Sequence, residues 1–514
     1  MILIHPPVTK PCEPPPGIAK LSGVLNHHGI KHITLDANLE GLEYLLRGPQ
    51  STFDTWTSRA FRHLADHLAS LRHWQGYHHF DRYKRAVRDL NRIIEIRAHT
   101  TDMHLGLAKY EDERFSPTKS DDLIRYAENP ENSHFYPYFK GRLLGLLEGE
   151  EPTAVGFSLN YLNQALCTFA MIGILRKEYP RLPIILGGGL VTSWVRRPGW
   201  RSPFSGLVDH IVAGPGEGPL LSILGVGGRC GEEHITPNYN SFPLMEYFAP
   251  GPILPYSASS GCYWNRCSFC PEKAEGNPYL PIPNERVVRD LQGLTLRVKP
   301  VLIHFLDNAL SPALMKAIAS NPPGPPWYGF ARVTPHLTDF EFCMALKRSG
   351  CVMLKLGLES GDQGVLDRMQ KGIELEQASL ALKTLKKAGI ATYVYFLFGT
   401  PWETLSEARR TLEFTVSHHE MINFLNLAIF NMPIYRAETV DIENLESYEG
   451  DLSLYTGFKH PKGWNRKPIR QFLDKEFKRH PAIASILRRD PPVFTSNHAP
   501  FFVMKNGKTK FPPL

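Results

Sequence analysis

Two series of short apolar runs constrain this chain more than any other feature. The first series is "MILIHPP", "KHITLDAN", "TAVGFSL", "PIILGGG" and "DHIVAG". The second is "VLIHFLDN", "WYGFARV", "CVMLKLGLESG", "ATYVYFLFGTP" and "INFLNLAIFNMPI". Between the runs lie segments of helical period, such as "GIAKLSGVLNHHG", "QALCTFAMIGILRKEYP" and "ELEQASLALKTLKKAG". Apolar, β-branched strands alternating with helices build α/β folds whose parallel sheets are covered on both faces. Ligands on such sheets sit at the carboxyl ends of the strands. Those ends are Ser158 to Tyr161, Gly187 to Thr192 and Gly214 to Gly218 in the first series. In the second they are Asp307 and Asn308, Arg332, Glu359 and Ser360, and Gly399.

The 514 residues leave room for two or three domains with large cores. We expect one domain from residues 1–41 and 151–230, interrupted by a helical insertion at 42–150 that is rich in Arg, His and Tyr. A proline-rich linker is expected at 231–258, a second domain at 259–439, and a small basic C-terminal cap at 440–514. Hydrophobic residues make up 42% and charged residues 21%, the balance of a soluble globular protein. The net charge of +7 is spread along the chain, which points to a solvated surface in preference to a nucleic-acid face. No apolar run reaches the ~18 residues of a membrane span. The start "MILIHPPVTKPCEPPP" lacks the basic head and long apolar core of a signal peptide. Eight cysteines, three of them bunched, are no disulfide framework, so a reducing cytoplasm is expected.

The bunched cysteines lie in "SSGCYWNRCSFCPEK", with four residues between Cys262 and Cys267 and two between Cys267 and Cys270. A structural zinc site wants four ligands, and no second CxxC or HxxxH lies nearby at finger spacing. A four-thiolate electron-transfer cluster would need a further cysteine such as Cys230. A chance cluster of structural thiols is the remaining bland alternative. An iron–sulfur cluster with one iron left open fits three thiols as they stand, since a catalytic metal keeps an open position.

With these residues in view the chain resembles the radical S-adenosylmethionine (SAM) superfamily, in its branch with an N-terminal cobalamin-binding domain. "GCYWNRCSFC" is similar to the cluster loop, with four residues in the first gap where three are usual. "IHFLDNALSP", "GFARVTP", "SGCVMLKLGLESGDQGVLDRMQKG" and "AGIATYVYFLFGTPWET" resemble the second to fifth strand blocks of the barrel. The resemblance implies a Rossmann-like cobalamin domain followed by a (β/α)6 partial TIM barrel. It implies a [4Fe–4S] cluster on Cys262, Cys267 and Cys270. It also implies SAM contacts at Phe269, Arg332, Glu359, Ser360 and Gly399, with Arg332 near the carboxylate.

The first series resembles the cobalamin domain of the same branch. This implies contacts at Ser158, Asn160, Gly187, Gly188, Gly189, Thr192, Gly214, Gly216 and Glu217. "DANLEG" echoes the cobalt-ligating DxHxxG pattern with Asn38 in the histidine's place, but it follows the second strand, so base-off binding without a protein histidine is expected. The implied activity is reductive cleavage of SAM and methylation of an unactivated carbon in a peptide or small natural product, with a flavodoxin- or ferredoxin-type electron donor. Cyclisation and rearrangement are the alternatives within the same branch.

Overall fold

The computed structural model describes residues 1–48, 54–97, 102–197, 199–226, 234–435, 449–494 and 498–503, and the backbone of 445–446. The chain divides into two compact units. The first comprises Met1–Ile253 with Glu449–Leu454 and Pro492–Phe494; the second comprises Leu254–Tyr448 with Tyr455–Pro491 and Thr495–Leu514.

The first unit is built on a five-stranded sheet in the order β2-β1-β3-β4-β5. Its strands are β1 (Ile2–His5), β2 (Ile33–Asp36), β3 (Val155–Ser158), β4 (Ile184–Gly187) and β5 (His210–Ile211). All neighbours run parallel, with Ile2 opposite both Ile33 and Val155. β1 and β3 are buried along their whole length, as expected of central strands that carry helices on both faces. The helices are α1 (Pro16–His27), α2 (Ala37–Arg47), α3 (Leu162–Glu178), α4 (Gly189–Val195) and α5 (Glu217–Ile223). From β1 the chain turns to β2 on one side, and from β3 to β4 on the other. The order therefore reverses between β1 and β3, the place where open α/β sheets leave a crevice.

Residues 42–150 are packed into this unit. A Cβ on Gly173 of α3 would lie 1.9 Å from Ala127 O, so α3 runs against the backbone of the helix Ser120–Glu128. α2 crosses the expected boundary at residue 41. The insertion is also not wholly helical: Met103–Gly106 and Lys109–Asp112 form an antiparallel hairpin. Strands of four residues leave too short a period to stand out beside long helices such as Phe80–Arg97. Residues 234–252 have no regular structure but are tied down. Asn238 N donates to Ala19 O, Phe248 N to Pro11 O and the Tyr247 hydroxyl to Asp36.

The second unit carries a six-stranded sheet of β6 (Ile253–Tyr256), β7 (Leu302–Phe305), β8 (Trp327–Ala331), β9 (Cys351–Glu359), β10 (Ala391–Phe398) and β11 (Phe424–Ile429). The strands lie in sequence order, and the pairs from β7 to β11 are parallel. Helices α6 (Asn284–Val298), α7 (Pro312–Ser320), α8 (Phe340–Arg348), α9 (Leu375–Ala388) and α10 (Leu405–Ser417) alternate with them. α7 and α8 start on Ser311 and Asp339 caps, and α10 on a Thr404–Glu407 capping box. β6 lies inside the segment expected to be linker, because "ILPY" is four residues long and interrupted by proline. The expected cap is divided: 449–454 and 492–494 belong to the first unit, while Arg466–Phe472 and Pro481–Leu487 belong to the second. Its residues 440–444, 447–448, 495–497 and 504–514 lie outside the described residues. Among the described residues no helix is long and apolar enough to cross a membrane.

Candidate functional site

In the second unit the chain leaves β6 through a loop that carries all three bunched cysteines. Polar residues at the end of β7 hold its start: Asp307 accepts from Ala258 N and from the Ser259 hydroxyl, and Asn308 donates to Gly261 O. Cys262, Cys267 and Cys270 are free thiols. Cys12, Cys167, Cys343 and Cys351 lie elsewhere in the fold and are buried, and Cys230 lies outside the described residues. Burial pushes the Cys267 thiol up, against the opposing pull of Lys371 and Arg332. Burial pushes Cys270 up to about 11, partly offset by the backbone N–H groups of Lys273 and Glu272. Cys262 and Cys267 interact electrostatically, as do Cys267 and Cys270. The three thiols therefore share one locale.

The loop is docked on residues 368–372. Ser268 N donates to Met369 O at 3.0 Å, its hydroxyl donates to Arg368 O, and Trp264 Nε1 donates to Gln370 O at 3.1 Å. The long first gap turns through Asn265 at φ 44°. The Trp264 ring lies directly over Gly372, where a Cβ would come within 2.3 Å of it. Arg332, at the end of β8, stacks its guanidinium on that ring at 4.0 Å, and Arg266 lies 5.1 Å from the ring centre. Arg332 Nη2 donates to Lys371 O, and Nη1 reaches Cys267 Sγ at 3.9 Å.

Glu359 ends β9 with a register shift against β10 and φ 71°. A bulge of this kind re-aims a side chain. A Cβ on Gly357 would lie 2.6 Å from Glu359 Oε1, so the bulge returns the carboxylate to the face of Gly357. There it pairs with Lys371 Nζ at 2.8 Å. The same face carries Lys355, Phe330, Tyr328 and His304, with His304 stacked on Tyr328 at 4.3 Å. Ser360, expected among the SAM contacts, is fully buried. Its hydroxyl is shared with Thr411 of α10 and accepts from Asp362 N, so the side chain ties β9 to α10. Phe269, expected among the SAM contacts, packs with Leu397 and Phe458 against Phe430 and Met432, and Lys371 Nζ lies over its ring at 5.4 Å.

Beyond Gly399 the chain forms a feature that sequence reasoning did not single out. Glu403 is 1% exposed, accepts from Gly399 N and from Trp464 Nε1, and leaves Oε1 without a partner. The signal was the polar cluster in "GTPWET" immediately after a barrel strand. Burial raises the Glu403 carboxyl to about 8. The folded chain thus holds one proton more than the unfolded chain between about pH 4.5 and 8. This contribution to stability is full below 4.5 and is lost as pH rises through 8. Glu403→Gln cannot titrate. Its stability relative to the parent should rise by about 1.4 kcal/mol per pH unit across that window, read by urea unfolding at several pH values. Equal slopes for the two proteins would refute the burial argument.

In the first unit the expected contacts gather at the carboxyl ends of β3, β4 and β5. Asn160 donates to Ser158, and its Oδ1 accepts from Gly189 N at 2.9 Å. Thr192 Oγ1 donates to Gly188 O and accepts from Gly214 N. Both side chains therefore splice the three loops together. Gln164, fully buried, accepts from Asn160 N and Tyr161 N and donates to Pro6 O, which ties this edge to β1. The edge itself is presented by Gly187, Gly188, Gly189, Gly214 and Gly216, with Glu217 opening α5. Asn38 is spent inside the fold, accepting from Thr9 N. His5, at the end of β1, is buried, held by Thr9 and pushed down in pKa by desolvation.

Residues 256–415 match the Radical SAM superfamily. An uncharacterized methyltransferase of Pyrococcus horikoshii is 30% identical over 191 residues, covering 36% of this chain and 41% of that protein. An uncharacterized protein of Methanopyrus kandleri is 27% identical over 135 residues, covering 26% of this chain and 21% of its own length. The matches thus span less than half of either curated relative. The radical SAM methyltransferase TsrM of Kitasatospora setae, solved with cobalamin and a [4Fe–4S] cluster bound, superposes with a TM-score of 0.53 at 16% identity, over 96% of this chain and 91% of that one. TsrM with tryptophan and a SAM analogue bound gives 0.50 at 15% identity, over 86% and 75%. The chain thus carries a radical SAM domain at residues 256–415, and its fold is similar to that of the radical SAM methyltransferase TsrM.

Proposed function

We propose that this protein is a cobalamin-dependent radical SAM methyltransferase that acts on an unactivated carbon of a peptide or small natural product. The observation that carries the proposal is the loop with three free thiols, docked against the 368–372 segment at the carboxyl ends of the barrel strands. Among the described residues no group of three or more His, Cys, Asp or Glu side chains is gathered to hold a single metal ion. Three neighbouring thiols suit an iron–sulfur cluster, in which each thiolate binds its own iron. Cys262, Cys267 and Cys270 would hold it, leaving one iron open to the amino and carboxylate groups of SAM. When bound, such a cluster supplies the electron that cleaves the sulfonium of SAM, and cobalamin serves as the methyl carrier.

The chain's own residues supply charge balance and shielding. Lys371 and Arg332 offset the negative thiolates, and Glu359 in turn holds Lys371. Glu359 and the backbone at Gly399 are the candidates to orient SAM, while Phe269 and Trp264 keep water from the thiols. Ser360 is assigned to the shape of the loop. In the first unit the glycine edge suits a large flat ligand, because side chains are absent where backbone must approach it. A flavodoxin- or ferredoxin-type protein is the proposed electron donor.

The test is anaerobic reconstitution with iron, sulfide and hydroxocobalamin, followed by reduction in the presence of SAM. Formation of 5′-deoxyadenosine together with S-adenosylhomocysteine is the expected result. Deoxyadenosine alone, with cobalamin bound, would favour a rearrangement enzyme, and neither product would end the radical SAM reading.

A further inference from the structure

We propose that Arg332 tunes the reduction potential of the cluster through the sulfur of Cys267, and that the long gap between Cys262 and Cys267 exists to build its platform. The inference rests on the cluster assignment above. It does not follow from that assignment, because a cluster needs only the thiolates. Four observations converge on it. Arg332 is 6% exposed, so its charge acts in a low-dielectric setting where it is weakly screened. Its Nη1 points at Cys267 Sγ at 3.9 Å. Its plane is fixed by Trp264, 4.0 Å beneath, and by the hydrogen bond of Nη2 to Lys371 O. Trp264 is itself locked by Gln370 O and by Gly372, whose lack of a side chain admits the indole.

The direction of the effect follows from charge. Reduction adds an electron to a cluster whose thiolates already make it anionic. A fixed guanidinium and an N–H directed at a ligating sulfur both favour the reduced form, and hydrogen bonds to sulfur are a recognised lever on such potentials. A rigid stack retains this effect, because a planar guanidinium held on an aromatic face loses little further freedom in making the contact. An arginine reserved for the SAM carboxylate would not need to be held over the indole or to aim a nitrogen at the thiol.

The test is a redox titration of the reconstituted full-length protein without SAM, followed by electron paramagnetic resonance, with iron per chain measured in parallel. In Arg332→Gln the ratio of reduced to oxidised cluster at fixed ambient potential should fall at least tenfold, about 59 mV for one electron. Iron content should stay at the parent level. Arg332→Lys, which keeps the charge but not the planar group over the indole, should fall between the two. Trp264→Ala should follow Arg332→Gln. Parent potentials in Arg332→Gln and Trp264→Ala at full iron content would overturn the proposal. Should Arg332→Gln lose its iron, the lysine variant decides: a lowered potential supports the role and a parent potential overturns it. Absence of a cluster from the parent protein would instead be a failure of the assignment on which the inference rests.

Discussion

Replacing Cys262, Cys267 or Cys270 singly by serine is expected to remove the iron–sulfur cluster and all reductive cleavage of SAM. On the proposed assignment each thiolate would hold one iron, and a hydroxyl does not replace a thiolate at neutral pH, so loss of any one would leave the assembly open on two sides. Reconstituted parent protein should hold about four irons per chain with broad visible absorbance, and each serine variant should hold nearly none. The controls are Cys343→Ala and Cys351→Ala, both fully buried in the second unit away from the loop. They should keep the iron and lose only modest stability. Cys230→Ser should also keep it. Loss of iron in that variant would point to a four-thiolate electron-transfer site and would sink the open-iron reading. One bound zinc, colourless and dependent on the same three cysteines, would sink it equally.

What could be read from the sequence was whatever depends on period or rarity. The strand runs were visible because β3, β4 and β10 are largely apolar and β9 is broken only by Lys355, each ending near glycine or polar residues. The cysteine loop was visible because few other cysteines compete with it. Asp307 and Asn308 were marked by their place at a strand end, and they hold the loop's first residues. What could not be read depends on contacts between residues far apart in the chain. Trp264 meets Gly372 and Arg332 across about a hundred and about seventy positions, and no local pattern announces such a stack. Ser360 looked like a ligand because it follows Glu359 at a strand end, yet the bulge turns its hydroxyl toward Thr411. Asn160 and Thr192 follow the carboxyl ends of β3 and β4, where position marked them, and their polar atoms are spent holding the loops in place. Polar residues at a ligand-binding edge often serve its shape, and a single sequence does not separate the two roles.

The glycine edge of the first unit gives the other large effect. Gly188 has φ 113° and ψ 175°, a region that residues with a Cβ essentially do not enter. A methyl group there would also lie 2.3 Å from the backbone oxygen of Leu159, which cannot move without disturbing β3. Both costs fall on Gly188→Ala, for a loss of about 3 kcal/mol or more. Its neighbour Gly189 opens α4, is exposed, and an added Cβ would meet only Asn160 at an ordinary 3.7 Å. Gly189→Ala should therefore fold as the parent does and act only by placing a methyl at the crevice edge. The expected result is that Gly188→Ala lowers the denaturation midpoint of the first unit and retains no cobalamin on gel filtration. Gly189→Ala should keep its midpoint but release cobalamin faster. Both should keep the iron of the second unit. If Gly188→Ala unfolds at the parent midpoint, the strain argument is wrong. If Gly189→Ala holds cobalamin as tightly as the parent, the ligand does not lie against Gly189, and the placement of cobalamin on this edge is wrong.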